Sequence, residues 1–253
     1  MHKKRAFERA FLPVRIMRSH ARHWHYRAVW GRHCPDPKQM VWVETASIAW
    51  KKEPIYQDSR RIGTNIAGGD WDLAVRSDVV DYDHAGPTIE GLIRVNEFQL
   101  YKAIVQMIQH GVEWQDTVVY KNRLLSRVRS LEKLESEGRK IGDLVASIRE
   151  HGPLPQSELR PQRSGLREWL LPAVYGEIRV AIGRKGDIFL EDGVHRFFIA
   201  KALGITKIPA RVILRHELWQ KTRAKWMNEG KGGSALGQGP GGDHPDLTFR
   251  TRE

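Results

Sequence analysis

Three groups of residues have types and spacings that could do chemistry. The first is Glu191-Asp192-Gly193-Val194-His195-Arg196, where an apolar run ends and a helical pattern begins at once. A helix start exposes unpaired backbone N–H groups and the positive end of the helix dipole, which makes it a ready anion site. Gly193 would let the backbone come close to a ligand. Arg196 could hold a phosphate through two parallel hydrogen bonds. His195 could donate to a phosphate oxygen or shuttle a proton. Glu191 and Asp192 stand beside them and could hold Mg²⁺ or take a proton. The plainer alternative is that Asp192 only caps the helix and Arg196 only pairs with a surface carboxylate.

The second group is Ala67-Gly-Gly-Asp-Trp-Asp72. Carboxylates two residues apart, Asp70 and Asp72, can share one face of an extended segment. Such a pair suits Mg²⁺ with bound phosphates, or a general base. The alternative is an Asx-turn with Trp71 as a buried plug. The third group is His20, His23 and His25, spaced H-x-x-H-x-H. No cysteine or carboxylate joins them locally to complete a metal site, so they read as part of a basic arm. Gly183-Arg-Lys-Gly186 is a turn and lacks the spacing of a P-loop.

These residues need elements to position them. Residues 40–50, MVWVETASIAW, are β-branched and aromatic and read as one strand. Residues 51–92 look irregular. Within 97–110, Phe98, Tyr101, Ile104, Val105 and Ile108 share one helical face, with Gly111 as the expected C-cap. A second helix is expected over about 115–137, stopping at Gly138, and a third ends at Gly152 before Pro153. EIRVAIGRKGDIFLED (177–192) reads as a β-hairpin turning at Arg184-Lys185-Gly186. A helix stopped by Gly204 and a last strand, PARVIL, follow. The pattern predicts a mixed α/β fold.

The chain has 253 residues, 40% apolar and 28% charged, an ordinary globular composition. No apolar run approaches the roughly 20 residues that span a bilayer. The first residues lack the apolar core of a secretory signal, so none is expected. With the single cysteine, Cys34, this points to a reducing, cytoplasmic location. The net charge of +12 is uneven: residues 1–33 hold nine Lys or Arg against Glu8, a surplus of +8. Such an arm binds polyanions by counterion release, and Trp24, Tyr26 and Trp30 could stack on bases or anchor the arm to its own domain. The last 25 residues hold seven glycines and read as a flexible tail, pinned at most by HPDLTF.

Two segments resemble, in order, the ParB N-terminal domain and sulfiredoxin superfamily. The first is Leu144-Val-Ala-Ser-Ile-Arg-Glu-His-Gly152. The second is Asp192-Gly-Val-His-Arg196, followed by Ala200-Lys-Ala-Leu-Gly204 and Ile208-Pro209. The strand VWVETASI stands where that family has its first. The resemblance implies a ParB/sulfiredoxin-like core with a helical insertion, arranged as a basic arm (1–40), a domain (41–219, insertion at about 60–140) and a flexible tail (220–253). It implies a nucleotide, ATP/ADP or CTP, whose phosphates meet Asp192, Gly193, His195 and Arg196. Val194 replaces the reactive cysteine of sulfiredoxins, so their chemistry is not expected. HELWQKTRAKW and a glycine-rich stretch stand where ParB proteins continue toward a helix-turn-helix, so none is expected. GGDWD with Trp114-Gln-Asp-Thr117 is similar to a subgroup of ParB-like proteins with no settled activity.

The expected function is nucleotide binding with Mg²⁺ and transfer or hydrolysis of a phosphoryl group. In that scheme His195, Glu191, Asp70 and Asp72 are the catalytic candidates, and Asp70 and Asp72 hold the metal. Removing Arg196 is expected to weaken nucleotide binding about ten- to a hundredfold with little loss of stability. The alternatives are a DNA- or RNA-binding regulator or nuclease that uses the arm, and a nucleotide sensor without turnover.

Overall fold

The computed structural model describes residues 12–37, 39–53, 65–73, 91–126, 130–155, 158, 177–229 and 243–248. These residues form a mixed α/β fold around a seven-stranded sheet. Four strands precede the first core helix: β1 (Met40–Glu44), β2 (Trp50–Glu53), β3 (Asn65–Ala67) and β4 (Gly91–Arg94). The last three are β5 (Ile178–Ile182), β6 (Ile188–Asp192) and β7 (Lys207–His216). The sheet order is β1-β7-β5-β6-β2-β4. The long β7 also takes β3, which continues along the same edge past β1: β1 pairs with Lys207 to Arg211 and β3 with Leu214 to His216.

The single strand expected over 40–50 is two strands. At Thr45 the chain turns, because its N–H donates to Thr206 O at 2.8 Å and its Oγ1 to Ile205 O at 2.6 Å. A 3-10 turn, Thr45–Ser47, follows. β1 then lies at one edge against β7, while β2 pairs with β6 and β4. Local β-propensity was satisfied twice, and tertiary pairing chose where the run breaks.

Helices α2 (Gln99–His110), α4 (Leu131–His151) and α5 (Val194–Ala202) cover one face of the sheet. Ile104, Leu134, Ile141, Phe197 and Phe198 meet Val180, Ile182, Leu190 and Val212 there in one buried cluster. Gly111 ends α2 in the left-handed conformation, φ 67°. The helix expected over 115–137 is interrupted. Thr117 Oγ1 accepts the Tyr120 N–H and starts the short α3 (Val118–Leu125). Then α4 starts afresh after Ser130 and runs through Gly138 to His151. Gly138 is there for room: a Cβ would stand 2.4 Å from Trp114 Cδ1. The expected helix stop is therefore a packing contact.

The opposite face carries Leu92, Ala181, Phe189 and Leu214, with Trp50, Ala67 and Trp71 packed against them. Helix α1 (Leu12–Trp30) docks beside β3. The Tyr26 hydroxyl accepts the Ile66 N–H at 2.9 Å, and Arg22 donates to the Asn65 side chain. Helix α6 (Glu217–Glu229) extends the folded part beyond the boundary expected at 219, and Gln220 and Arg223 are buried. A short α7 (Pro245–Thr248) packs back, burying Asp246 and Leu247. No helix among the described residues is long and apolar enough to cross a membrane.

Candidate functional site

The β6–α5 junction forms as expected, and its details are stricter. Gly193 takes φ 78°, ψ 29°, a conformation that side chains disfavour. A Cβ there would stand 2.7 Å from both Glu177 O and Ile178 Cα. The glycine thus admits the neighbouring strand β5, and not a ligand as the sequence suggests. Asp192 Oδ1 accepts the Gly193 N–H at 2.7 Å, and its Oδ2 pairs with Arg179. The first residues of α5, Val194, His195 and Arg196, have no helical acceptor for their N–H groups.

His195 is the exposed member of the group, at 41% of its side chain, and stands 3.6 Å from Glu137 of α4. Arg196 differs from expectation. It is buried, 3.4 Å from Glu177, and donates to Leu154 O. Burial lowers its pKa against the pull of Glu177. Arg196 thus fastens the segment before β5 and the loop after α4 beneath the helix start. The carboxylate it meets is buried, where a surface one was expected.

A row of charge crosses the sheet beside this junction. The β5–β6 register shifts between Arg179 and Val180, which leaves Glu191 as the extra residue opposite them. Glu191 is fully buried, with Lys52 Nζ 3.7 Å away. Next to Lys52 on β2, the fully buried Lys51 has its pKa pulled down to about 7 by desolvation, with Glu191 opposing and Lys52 adding to the shift. On the other side Arg179 is in register with Arg211 of β7. Arg211 is 8% exposed, and its Nε has no hydrogen-bond partner. Burial lowers its pKa, opposed by Glu177 and Asp36.

Asp70 and Asp72 come together, but around a guanidinium. Arg184, in the β5–β6 turn, gives its backbone N–H to Asp72 Oδ2 at 2.6 Å and its Nε to Oδ1 at 2.9 Å. Its Nη2 reaches Asp70 Oδ1 at 2.7 Å and Gly69 O at 2.9 Å. Burial works against the Asp72 charge, but Arg184 overcomes it and holds that carboxyl below its ordinary value. Trp71 packs edge-on to Phe189 and against His216, the plug arrangement. His216 Nδ1 accepts the Leu218 N–H at 3.1 Å, so Nε2 carries the proton and donates to Gly69 O at 2.9 Å. This turn and the α5 mouth lie at opposite ends of the hairpin, on the order of 15 Å apart. A cation on Asp70 and Asp72 would have to displace Arg184, and it would sit far from His195.

His20, His23 and His25 lie on α1. Among the described residues no cluster of three His, Cys, Asp or Glu is arranged to hold a metal ion. Sequence reasoning passed over Arg184, Arg179, Arg211, Lys51 and Lys52, which sit at ordinary turn and strand positions. Charged residues inside otherwise apolar strands, as in EIRV and PARVIL, were the available signal. Comparisons with protein-family models, with curated proteins and with solved structures found no match in any of the three.

Proposed function

We propose that the mouth of α5 binds the phosphate of a nucleotide. The carrying observation is the cluster of cationic donors there: Arg179, Arg196 and Arg211 gather around Asp192, Glu177 and Asp36 beside the helix start. Arg211 still lacks an acceptor for Nε. Buried donors without partners are costly, so an oxyanion is the ligand that resolves the cost. His195 and the first N–H groups of α5 would contact the phosphate. Arg196 would position the mouth without touching the ligand. The resemblance of Asp192–Arg196 to the ParB/sulfiredoxin phosphate element supports the same reading, with ATP, ADP or CTP as candidates and Mg²⁺ arriving with them.

The reading favours a binding or sensing module over a phosphotransferase. A general base needs an uncommitted carboxylate, and Glu177, Glu191 and Asp192 each face a cation. Calorimetric titration of ATP, ADP and CTP with Mg²⁺ tests it. Binding should weaken about tenfold in His195→Ala at unchanged melting temperature. If none of the three binds, the reading fails.

A second reading has its own observation. Tyr26 and Arg22 tie one side of α1 to β3, while Arg27 is exposed and Trp24 is 70% exposed on the other. A basic face with a projecting indole suits nucleic acid. Deleting residues 1–33 should then abolish salt-sensitive DNA or RNA binding and leave nucleotide binding intact. Unchanged nucleic-acid affinity would remove this second reading.

A further inference from the structure

β1 is an edge strand, and among the described residues no strand pairs with its outer side. A groove of about 1180 Å³ runs along it to the β5–β6 turn and the loop before α7. That is larger than the roughly 300–1,000 Å³ of small-molecule pockets. Trp42, 56% exposed, projects from the middle of the strand.

The lining has an unexpected charge. Glu44 and Lys207 pair at 3.3 Å and cancel. Of the remaining lining charges among the described residues, Glu158, Asp187 and Asp243 are exposed against Lys185. His244 adds no charge at neutral pH, since burial lowers its pKa. The described lining is thus acidic on a chain of net charge +12. Gln39, 6% exposed, lines the groove, and its Oε1 accepts from Arg215 Nη2 at 3.4 Å, which fixes the amide. Its Nε2 has no acceptor. That nitrogen is sealed from solvent and belongs to the packing beneath the groove.

We infer that this groove binds an extended, Lys- or Arg-bearing peptide, which adds to β1 as a further strand. Main-chain hydrogen bonds to Met40–Glu44 hold the peptide. Its cationic side chains meet Asp187 and Asp243, and Trp42 covers an apolar residue between them. This inference does not depend on the nucleotide reading.

The probe is the synthetic peptide acetyl-Gly-Lys-Val-Arg-Val-Lys-Val-Gly-amide, added to the full chain. Amide exchange of Met40–Glu44 should slow at saturation. A fluorescent version should lose about tenfold in affinity in the Asp187→Lys/Asp243→Lys double variant, which reverses rim charges without touching the core. Lys185→Glu should bind more tightly. An analogue with glutamate at each basic position should not bind. Unchanged β1 exchange with saturating peptide overturns the inference, as does equal binding of the glutamate analogue or full binding by the double variant. Protection of β1 by ATP with the peptide inert would make the groove a small-ligand site. Self-association through β1 that ignores both the peptide and the charge reversals would assign the edge to a second copy. Either result also overturns the inference.

Discussion

Arg196 and His195 are adjacent in sequence and opposite in consequence. Arg196 is 6% exposed, so Arg196→Ala removes one of the cations facing buried Glu177 and leaves Leu154 O without this donor. Breaking a buried pair from one side costs about 3–5 kcal/mol, so urea unfolding should show a loss of that size. His195→Ala should leave the midpoint unchanged and weaken nucleotide binding instead. The reverse pattern would reassign both roles. From sequence the two looked alike, because a helix-start position does not say which way a side chain turns. Lys51 was equally illegible, as a lysine after a tryptophan at the end of a β-rich run. Its folded pKa of about 7 lies below the ordinary 10.5. Between those values the unfolded chain holds a proton that the folded chain has lost, so stability rises with pH across that window. Below it both states are protonated, and folding carries the full cost of a buried ammonium. Lys51→Met should therefore be more stable than the parent near pH 6, by about 2–4 kcal/mol. The advantage should shrink toward pH 10. An equal difference at pH 6 and pH 9 in urea titrations would refute this account of Lys51.

At the scale of elements, periodicity found the helices and strands better than their boundaries. The amphipathic face of α2, its glycine cap and the β5–β6 hairpin were readable, because each depends on residues close in sequence. The break at Thr45 depends on Ile205 and Thr206, more than 150 residues away, and no local pattern carries it. Gly138 shows the same limit from the other side, because a helix-breaking residue sits mid-helix for the sake of Trp114. Two glycines of α4 turn this into a measurement. Alanine is about 1 kcal/mol better than glycine inside a helix. Gly142 has no atom within 4 Å of a Cβ position, so Gly142→Ala should stabilise by up to that amount. At Gly138 the new methyl would meet the Trp114 ring at 2.4 Å, and overpacking costs about 1–3 kcal/mol. Gly138→Ala should therefore destabilise despite the better helix former. Thermal unfolding of the two variants should shift in opposite directions, and shifts of the same sign would show that Trp114 is free to move.

At the scale of the molecule, the two ends of the sheet are closed by different means. At the α5 mouth, Arg179, Arg196 and Arg211 meet Asp192, Glu177 and Asp36. At the opposite end the chain closes on itself with segments far apart in sequence. Asp72 of the GGDWD segment takes Arg184, and Asp246 of α7 takes Arg215 at 2.5 Å, with Trp219 Nε1 at 2.9 Å. Arg223 lies 3.5 Å from the same carboxylate. His244 bonds to Gly186 O and lies on the Trp219 ring, centroids 4.3 Å apart. Part of the glycine-rich tail is thus a structural pin, as HPDLTF hinted, although nothing local in that sequence named Arg215 as its partner. Burial opposes the charge of Asp246, but Arg215, Arg223 and the Trp219 N–H overcome it and hold the carboxyl below the ordinary 3.8. A carboxyl with a depressed folded pKa contributes stability that is fully present above its unfolded value. That stability is lost as pH falls through the folded one, so this pin should hold at neutral pH and release only below about pH 4. Asp246→Asn keeps the shape and removes the carboxylate charge that buried Arg215 and Arg223 share. A loss of about 3–5 kcal/mol is expected at pH 7, and it should shrink only as pH falls below about 4 toward the depressed folded pKa, where the parent loses the charge as well. Truncation after residue 242 should match the variant at neutral pH while leaving nucleotide titrations at the far end of the sheet unaltered. An Asp246→Asn protein as stable as its parent at pH 7 would mean that the buried arginines find other acceptors and that the tail does not hold this end closed.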